Sequence, residues 1–242
     1  MFKISKVLLA AGVLAGVYLA PAVAAADKVL FVLSAHHRGY SLPESMDVYE
    51  VLAASGIEVE FASPQGVAGL PWGADRLSDK HSKQYKELLS AGMINNPQPL
   101  SEVSVADYAA LYVPGGYGPV YDLHGHPQVE RILSEMYDAG KVISAICHGP
   151  AALTDVKLSS GKALLEGYAV TGKPIRGEGK WATANLPFLL EKRMKREGAQ
   201  FSAAEVGEPY VVHDGQLLTG QNANSAKQLG SKMIEILNKR AR

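Results

Sequence analysis

Four short apolar runs set the frame for this chain. They are KVLFVLS (28–34), IEVEFAS (57–63), YAALYVPGG (108–116) and KVISAIC (141–147). Two of them, the first and the last, are nearly continuous in apolar residues, as strands covered on both faces are. Between them lie segments with helical spacing. ESMDVYEVLAASG (44–56) places Met46, Val48, Val51 and Leu52 on one side and stops at Gly56. SKQYKELLSAG (82–92) and HPQVERILSEMYDAG (126–140) read the same way. Strand–helix alternation with short connections predicts a parallel sheet with helices on both faces, a single α/β domain of flavodoxin-like type.

The second half is expected to continue the pattern. LLEGYAVTG (164–172) reads as a strand, and NLPFLLEKRMKREG (185–198) as a helix with Pro187 in its first turn. YVVHDGQLLTG (210–220) reads as a hairpin around Asp214-Gly215, and NSAKQLGSKMIEILNKR (224–240) as a closing amphipathic helix. Residues 63–79 form a long connection, a place for a lid or an interface.

The N-terminus does not fit this alternation. Lys3 and Lys6 precede an apolar run from Val7 to Leu19, and Ala22-Val23-Ala24 and Ala24-Ala25-Ala26 both have the small-x-small form of a cleavage site. Residues 1–26 therefore read as a secretory signal peptide, and residues 27–242 as the α/β domain. The expected location is periplasmic or secreted, with no membrane attachment after cleavage. The apolar run is short for a spanning helix. Charge points away from nucleic acid: 24 basic and 24 acidic residues balance in the full chain.

Cys147 is the only cysteine, so it has no internal disulfide partner. It stands at the end of the fourth apolar run, with His148, Gly149 and Pro150 directly behind it. Ligands in open parallel sheets bind at the carboxyl ends of the strands, and three chemically rich stretches fall there. They are SAHHRGYSLPE, PGGYG and CHG. A residue on a sharp strand-to-helix turn points its side chain over the sheet edge, and the next backbone N–H faces a developing oxyanion. A thiol in that position is a nucleophile when ionised, and a small buried apolar residue otherwise. On residues alone, Glu44 reads as a first-turn helix acid and Glu178 as a solvated loop charge. His124 and His126 make a pair without an obvious third ligand, so no metal site is expected. His37 and Tyr117 are weak candidates for substrate contact. Tyr40 and Trp181 read more readily as core, and His81 and His213 as surface loop residues.

AICHGPAAL, preceded by YVPGGYGPVYDL, resembles the ThiJ/PfpI superfamily, whose fold is like that of class I glutamine amidotransferases. LLEGYAVTGKPIRGE, GQLLTGQNANSA and the early PE look most like its glutathione-independent glyoxalase (glyoxalase III) and heat-shock chaperone-like branch. The resemblance runs from about residue 28 to residue 237. It implies Cys147 as nucleophile, His148 as the adjacent catalytic histidine and Glu178 as the acid that orients it. It implies Glu44 as proton acceptor and donor, with the N–H groups of Gly116 and His148 as oxyanion hole. Tyr117 departs from the branch, which often has histidine between these glycines, and this bears on substrate preference.

The implied activity is cofactor-independent conversion of methylglyoxal-like 2-oxoaldehydes to 2-hydroxy acids such as D-lactate, through a Cys147 hemithioacetal. Its partner is a small aldehyde, and relatives are commonly homodimers. An envelope holdase chaperone, a protein deglycase and a cysteine peptidase or amidase remain open on the same residues. The Glu178 carboxylate is expected within about 2.6–3.2 Å of the His148 ring, the reach of a base-orienting group.

Overall fold

The computed structural model describes residues 28–240. The expected signal segment lies outside the described residues. The strands of the main sheet are β1 (Lys28–Val32), β2 (Glu58–Ser63), β3 (Gln98–Pro99), β4 (Ala110–Val113), β5 (Val142–Ile146), β6 (Val211–Asp214) and β7 (Leu217–Gly220). They lie in the order β6-β7-β5-β4-β1-β2-β3. Every neighbouring pair is parallel except the β6–β7 hairpin. Leaving out the edge strands β3 and β6, the order is 2-1-3-4-5 in sequence rank, the doubly wound flavodoxin-like arrangement. The α/β class read from the apolar runs is the class observed.

Alternation along the central strands feeds two cores. Leu30, Val32, Leu111, Val113, Ile143 and Ala145 face one layer. Val29, Phe31, Ala110, Tyr112, Val142 and Ile146 face the other. β5 has no exposed residue, which is why its sequence is apolar on both sides. Each such Val or Ile, fully buried, contributes about 1.5–3 kcal/mol of transfer free energy.

The helices are α1 (Leu42–Ala54), α2 (Asp79–Ser90), α3 (Pro119–Asp122), α4 (Pro127–Asp138), α5 (Lys180–Asn185), α6 (Leu190–Arg196) and α7 (Ala226–Arg240). Met46, Val48 and Leu52 of α1 share one core with Leu229, Met233 and Leu237 of α7. Val129, Ile132, Leu133 and Met136 of α4 join Leu190 and Met194 of α6 in the other. Local signals set several starts. His126 caps α4 by accepting from the Gln128 N–H, and Pro127 follows in its first turn. Ser78 caps α2 by accepting from the His81 N–H.

Three expectations change. Of 164–172, only Ala169–Val170 is extended, and it pairs with Gln200–Phe201 outside the main sheet. The helix expected over 185–198 is broken. Pro187 holds Leu186 extended (φ −69°, ψ 142°), so α5 ends at Asn185 and α6 starts only at Leu190. His81 is not a surface loop residue: it is buried on α2, with Nε2 2.8 Å from the Glu50 carboxylate of α1. His213 is exposed but lies on strand β6.

The long connection 63–79 is tied down near the exit of β1. Pro71–Trp72 pairs with Tyr40–Ser41, and the Tyr40 N–H donates to Leu70 O at 3.1 Å.

Candidate active site

The sheet reverses its winding between β1 and β4, and the crevice at the carboxyl ends of those strands is where such folds bind ligands. β5, next in line, delivers Cys147 to the same edge. Cys147 has φ 57°, in the left-handed region that side chains rarely adopt. The pose is held from both sides. Its N–H donates to Gly220 O of β7 at 2.9 Å, and its carbonyl accepts from the Lys173 N–H at 2.8 Å. Gly149 lets the turn close: a Cβ there would sit 2.3 Å from Val113 O.

Glu44 comes from the first turn of α1 and is 3% exposed. Its Oε2 accepts from the Gly115 N–H at 2.7 Å. A Cβ on Gly115 would lie 2.6 Å from that oxygen and 2.7 Å from Cys147 Cβ, so this glycine sits where the acid and the nucleophile converge. Two influences compete on the carboxyl. Burial raises its pKa, whereas the Gly115 N–H and the cation of Lys173 lower it. Burial wins, and the value is pushed up to about 7. The thiol is pushed well up by burial and by the Glu44 charge. Lys173 and the His148 backbone N–H pull it back.

His148 stands next to the nucleophile, with Nδ1 3.6 Å from Sγ. Its other nitrogen, Nε2, is 2.8 Å from Glu178 Oε1. The distance expected from the sequence is the distance found, across thirty residues of chain. The Glu178 side chain is 1% exposed and no surface charge. Its second oxygen is buried and has no protein partner among the described residues.

Glu44, Cys147 and His148 line a pocket of about 150 Å³, together with Arg38, Ser41, Trp72, Gly116, Tyr117, Lys173 and Gly179, and Glu178 is not part of the lining. Gly116 and His148 are both there, where their N–H groups can face a bound oxygen. Tyr117 lines the pocket as expected, with its ring edge-on to His148 at 5.1 Å. Trp181 stacks behind Tyr117 at 5.3 Å, and Tyr40 is core. His37 does not line it. Its ring is exposed and packs on His36, which stacks on Tyr121. The reason is the anchor of this loop: Asp122 accepts from the Ser34 hydroxyl and from the Ala35 and His36 N–H groups at 2.7–2.8 Å and turns the histidines away.

Sequence reading missed Lys173, Arg38 and Trp72. Lys173 lies inside the TGKPIRGE stretch, and its exact two-residue spacing behind Thr171 carries no chemical signal. Trp72 arrives only because the long connection docks beside Tyr40.

For a metal, the described residues offer one cluster, Asp47, Glu50 and His81, with ligand atoms within 4.8 Å of one another. Lys80 and Lys227 already pair with its acids, and it lies apart from the pocket lining. His124 and His126 do not converge: His124 engages Thr154 and Asp155, and His126 caps α4.

A thiol on a strained elbow, a histidine–carboxylate pair and a buried carboxyl together suit nucleophilic attack on a carbonyl with proton transfer. The DJ-1/PfpI family model matches residues 27–236. The chain belongs to the DJ-1/PfpI family. Within reach of this DJ-1/PfpI protein is a glutathione-independent glyoxalase of Saccharomyces cerevisiae, 29% identical over 242 residues, covering 88% of this chain and 99% of that protein. A glutamine amidotransferase-like class 1 domain-containing protein of Xenopus laevis is 31% identical over 216 residues, covering 87% and 90%. Among solved structures, glyoxalase III of Candida albicans superposes with a TM-score of 0.74 at 25% identity, covering 86% of this chain and 96% of that one. The 24 kDa rapid encystment protein of Francisella tularensis superposes with a TM-score of 0.81 at 26% identity, covering 87% and 99%.

Proposed function

We propose that this DJ-1/PfpI protein is a thiol-based glyoxalase that converts 2-oxoaldehydes to 2-hydroxy acids without glutathione. The observation that carries the reading is the buried Glu44 carboxyl, with a pKa of about 7, meeting the Cys147 side chain across Gly115. A group with that pKa both takes and gives a proton near neutral pH. Relatives named as glutathione-independent glyoxalases, aligned over most of this chain, support it.

The steps follow from the groups in place. The Cys147 sulfur bonds to the aldehyde carbon as its proton leaves to His148 Nδ1, and the carbonyl oxygen takes that proton to give the hemithioacetal. The N–H groups of Gly116 and His148 face the oxygen as charge develops on it. Glu44 removes the hydrogen on the former aldehyde carbon and returns the proton to the neighbouring ketone carbon, while the hydroxyl proton of the hemithioacetal passes to the former ketone oxygen. The first carbon is thereby oxidised to a thioester and the second reduced to an alcohol, with no external electron carrier. Water, deprotonated by His148, then cleaves the thioester and releases the 2-hydroxy acid and the thiol. From methylglyoxal the product is lactate, for which we propose the D form.

The test is methylglyoxal turnover without glutathione or added metal, for wild type and Cys147→Ser. Turnover is expected to fall by several orders of magnitude with the fold retained. Activity above a tenth of wild type in the variant removes Cys147 from the nucleophile role.

A second reading, a holdase chaperone, is favoured by one feature. Val67, Leu70 and Trp72 on the long connection are 52%, 60% and 51% exposed. Suppression of aggregation that persists in Cys147→Ser supports it.

A further inference from the structure

The pocket's charge does not match a neutral substrate. Its lining contains two cations, Arg38 and Lys173, and one acid, Glu44, which at pKa about 7 is ionised only in part near neutrality. Among the described residues neither cation forms a salt bridge or donates a side-chain hydrogen bond. Three half-buried cations elsewhere are paired with carboxylates: Arg193 with Glu197, Arg131 with Glu135 and Lys28 with Glu60. Lys173 is half-buried, and among the described residues its ammonium has no carboxylate partner. The exposed Arg38 places its guanidinium carbon 4.4 Å from the Trp181 ring centroid, a cation–π contact that uses the face of the group and not its N–H edge. Trp181 in turn backs Tyr117, and Tyr117 borders His148, so the stack connects the arginine to the site wall.

We infer that the pocket selects 2-oxoaldehydes that carry an anionic group, a carboxylate or a phosphate, held by Lys173 and Arg38 while the aldehyde carbon meets Cys147. This deepens the glyoxalase reading and rests on it for the reaction, but not for the anion site. Lys173 also acts electrostatically on the thiol and on Glu44, so its loss changes reactivity toward any substrate. A ratio between an anionic and a neutral reagent cancels that effect, because both meet the same sulfur.

Cys147 is the only cysteine, so alkylation reads one site. Iodoacetate and iodoacetamide differ in charge and little in shape. The ratio of their rates on wild type is expected to exceed that on free cysteine by about tenfold, the effect of one charge-assisted contact. The ratio is expected to drop in Lys173→Gln and in Arg38→Gln, and to fall with added salt. The second assay compares kcat/KM for 4,5-dioxopentanoate with that for its methyl ester, and about a tenfold preference for the acid is expected on the same grounds. A wild-type alkylation ratio at or below that of free cysteine overturns the anion site. Methylglyoxal turnover with no preference in either assay overturns it alone and leaves the glyoxalase reading intact. An alkylation preference without turnover of any dicarbonyl refutes the glyoxalase reading and leaves the anion site standing. An alkylation preference with equal kcat/KM overturns the substrate assignment.

Discussion

Glu178 Oε1 lies 2.8 Å from His148 Nε2, in a side chain sealed from solvent. As a carboxylate it can only accept there, so Nε2 carries the hydrogen and Nδ1 faces the thiol as an acceptor. With the other oxygen unpartnered among the described residues, this one contact sets both the ring's tautomer and the carboxylate's direction.

Glu178→Gln is therefore expected to lower kcat by about 10²–10⁴-fold, the range for a disrupted general base. An amide can donate as well as accept, and it no longer specifies the tautomer. Steady-state turnover alongside far-UV circular dichroism checks this. A well-folded variant with more than a third of wild-type kcat sinks the assignment.

Glu44→Gln is expected to do two opposite things. Turnover falls by about 10²–10⁴-fold, because the amide carries no proton between carbons. Stability rises at alkaline pH. The folded-state pKa of about 7 lies above the ordinary 4.5, so the native state holds the proton more tightly than the unfolded chain. The wild type is thus most stable below about pH 4.5 with respect to this group, and loses stability as pH rises through 7. At pH 8 the variant is expected to gain about 3 kcal/mol, or roughly 6–12 °C in Tm for a chain of this size. The gain vanishes near pH 4. Thermal melts at both pH values decide it; equal differences at the two would mean that the carboxyl is not buried in its charged form.

Much of this arrangement was legible in the sequence, for reasons that differ by residue. Cys147, His148 and Gly149 are consecutive, and a turn at the end of an apolar run is a local property. The two cores follow from alternation in β1, β4 and β5. Glu44 and Glu178 carry no local sign of burial, and only resemblance to a family singled them out. Helix α6 was misplaced because Pro187 looked like a first-turn proline, yet its effect on Leu186 kept that turn from forming. His81 looked exposed because its partner, Glu50, sits on another helix. Arg38 and Lys173 meet at the pocket by tertiary placement, which no window of sequence contains.

Gly149→Ala is expected to unfold more easily and to lose activity. The added methyl would stand 2.3 Å from Val113 O and 3.0 Å from Pro114 O, both backbone atoms that cannot rotate away. Overpacking of this kind costs about 1–3 kcal/mol. Calorimetry and turnover on the same sample check it, and an unchanged Tm with full activity would mean that the elbow relaxes freely.

Export is expected to remove residues 1–26, on the strength of the charged start, the apolar run and the alanine pairs. Cell fractionation with N-terminal sequencing tests it. A cytoplasmic protein that begins at Met1 overturns the expectation.

The backbone of Cys147 has a consequence for how such a protein can drift. At φ 57° a residue with a side chain gives up about 1–2 kcal/mol that glycine would keep. Stability and chemistry therefore pull in opposite directions at this one codon. Where the reaction no longer matters to the cell, replacement of the thiol by glycine relieves that backbone strain, offset in part by the packing lost with the side chain. A descendant with an intact sheet, an intact His148–Glu178 pair and no nucleophile is then an easy product of neutral change, and its persistence would say nothing about catalysis.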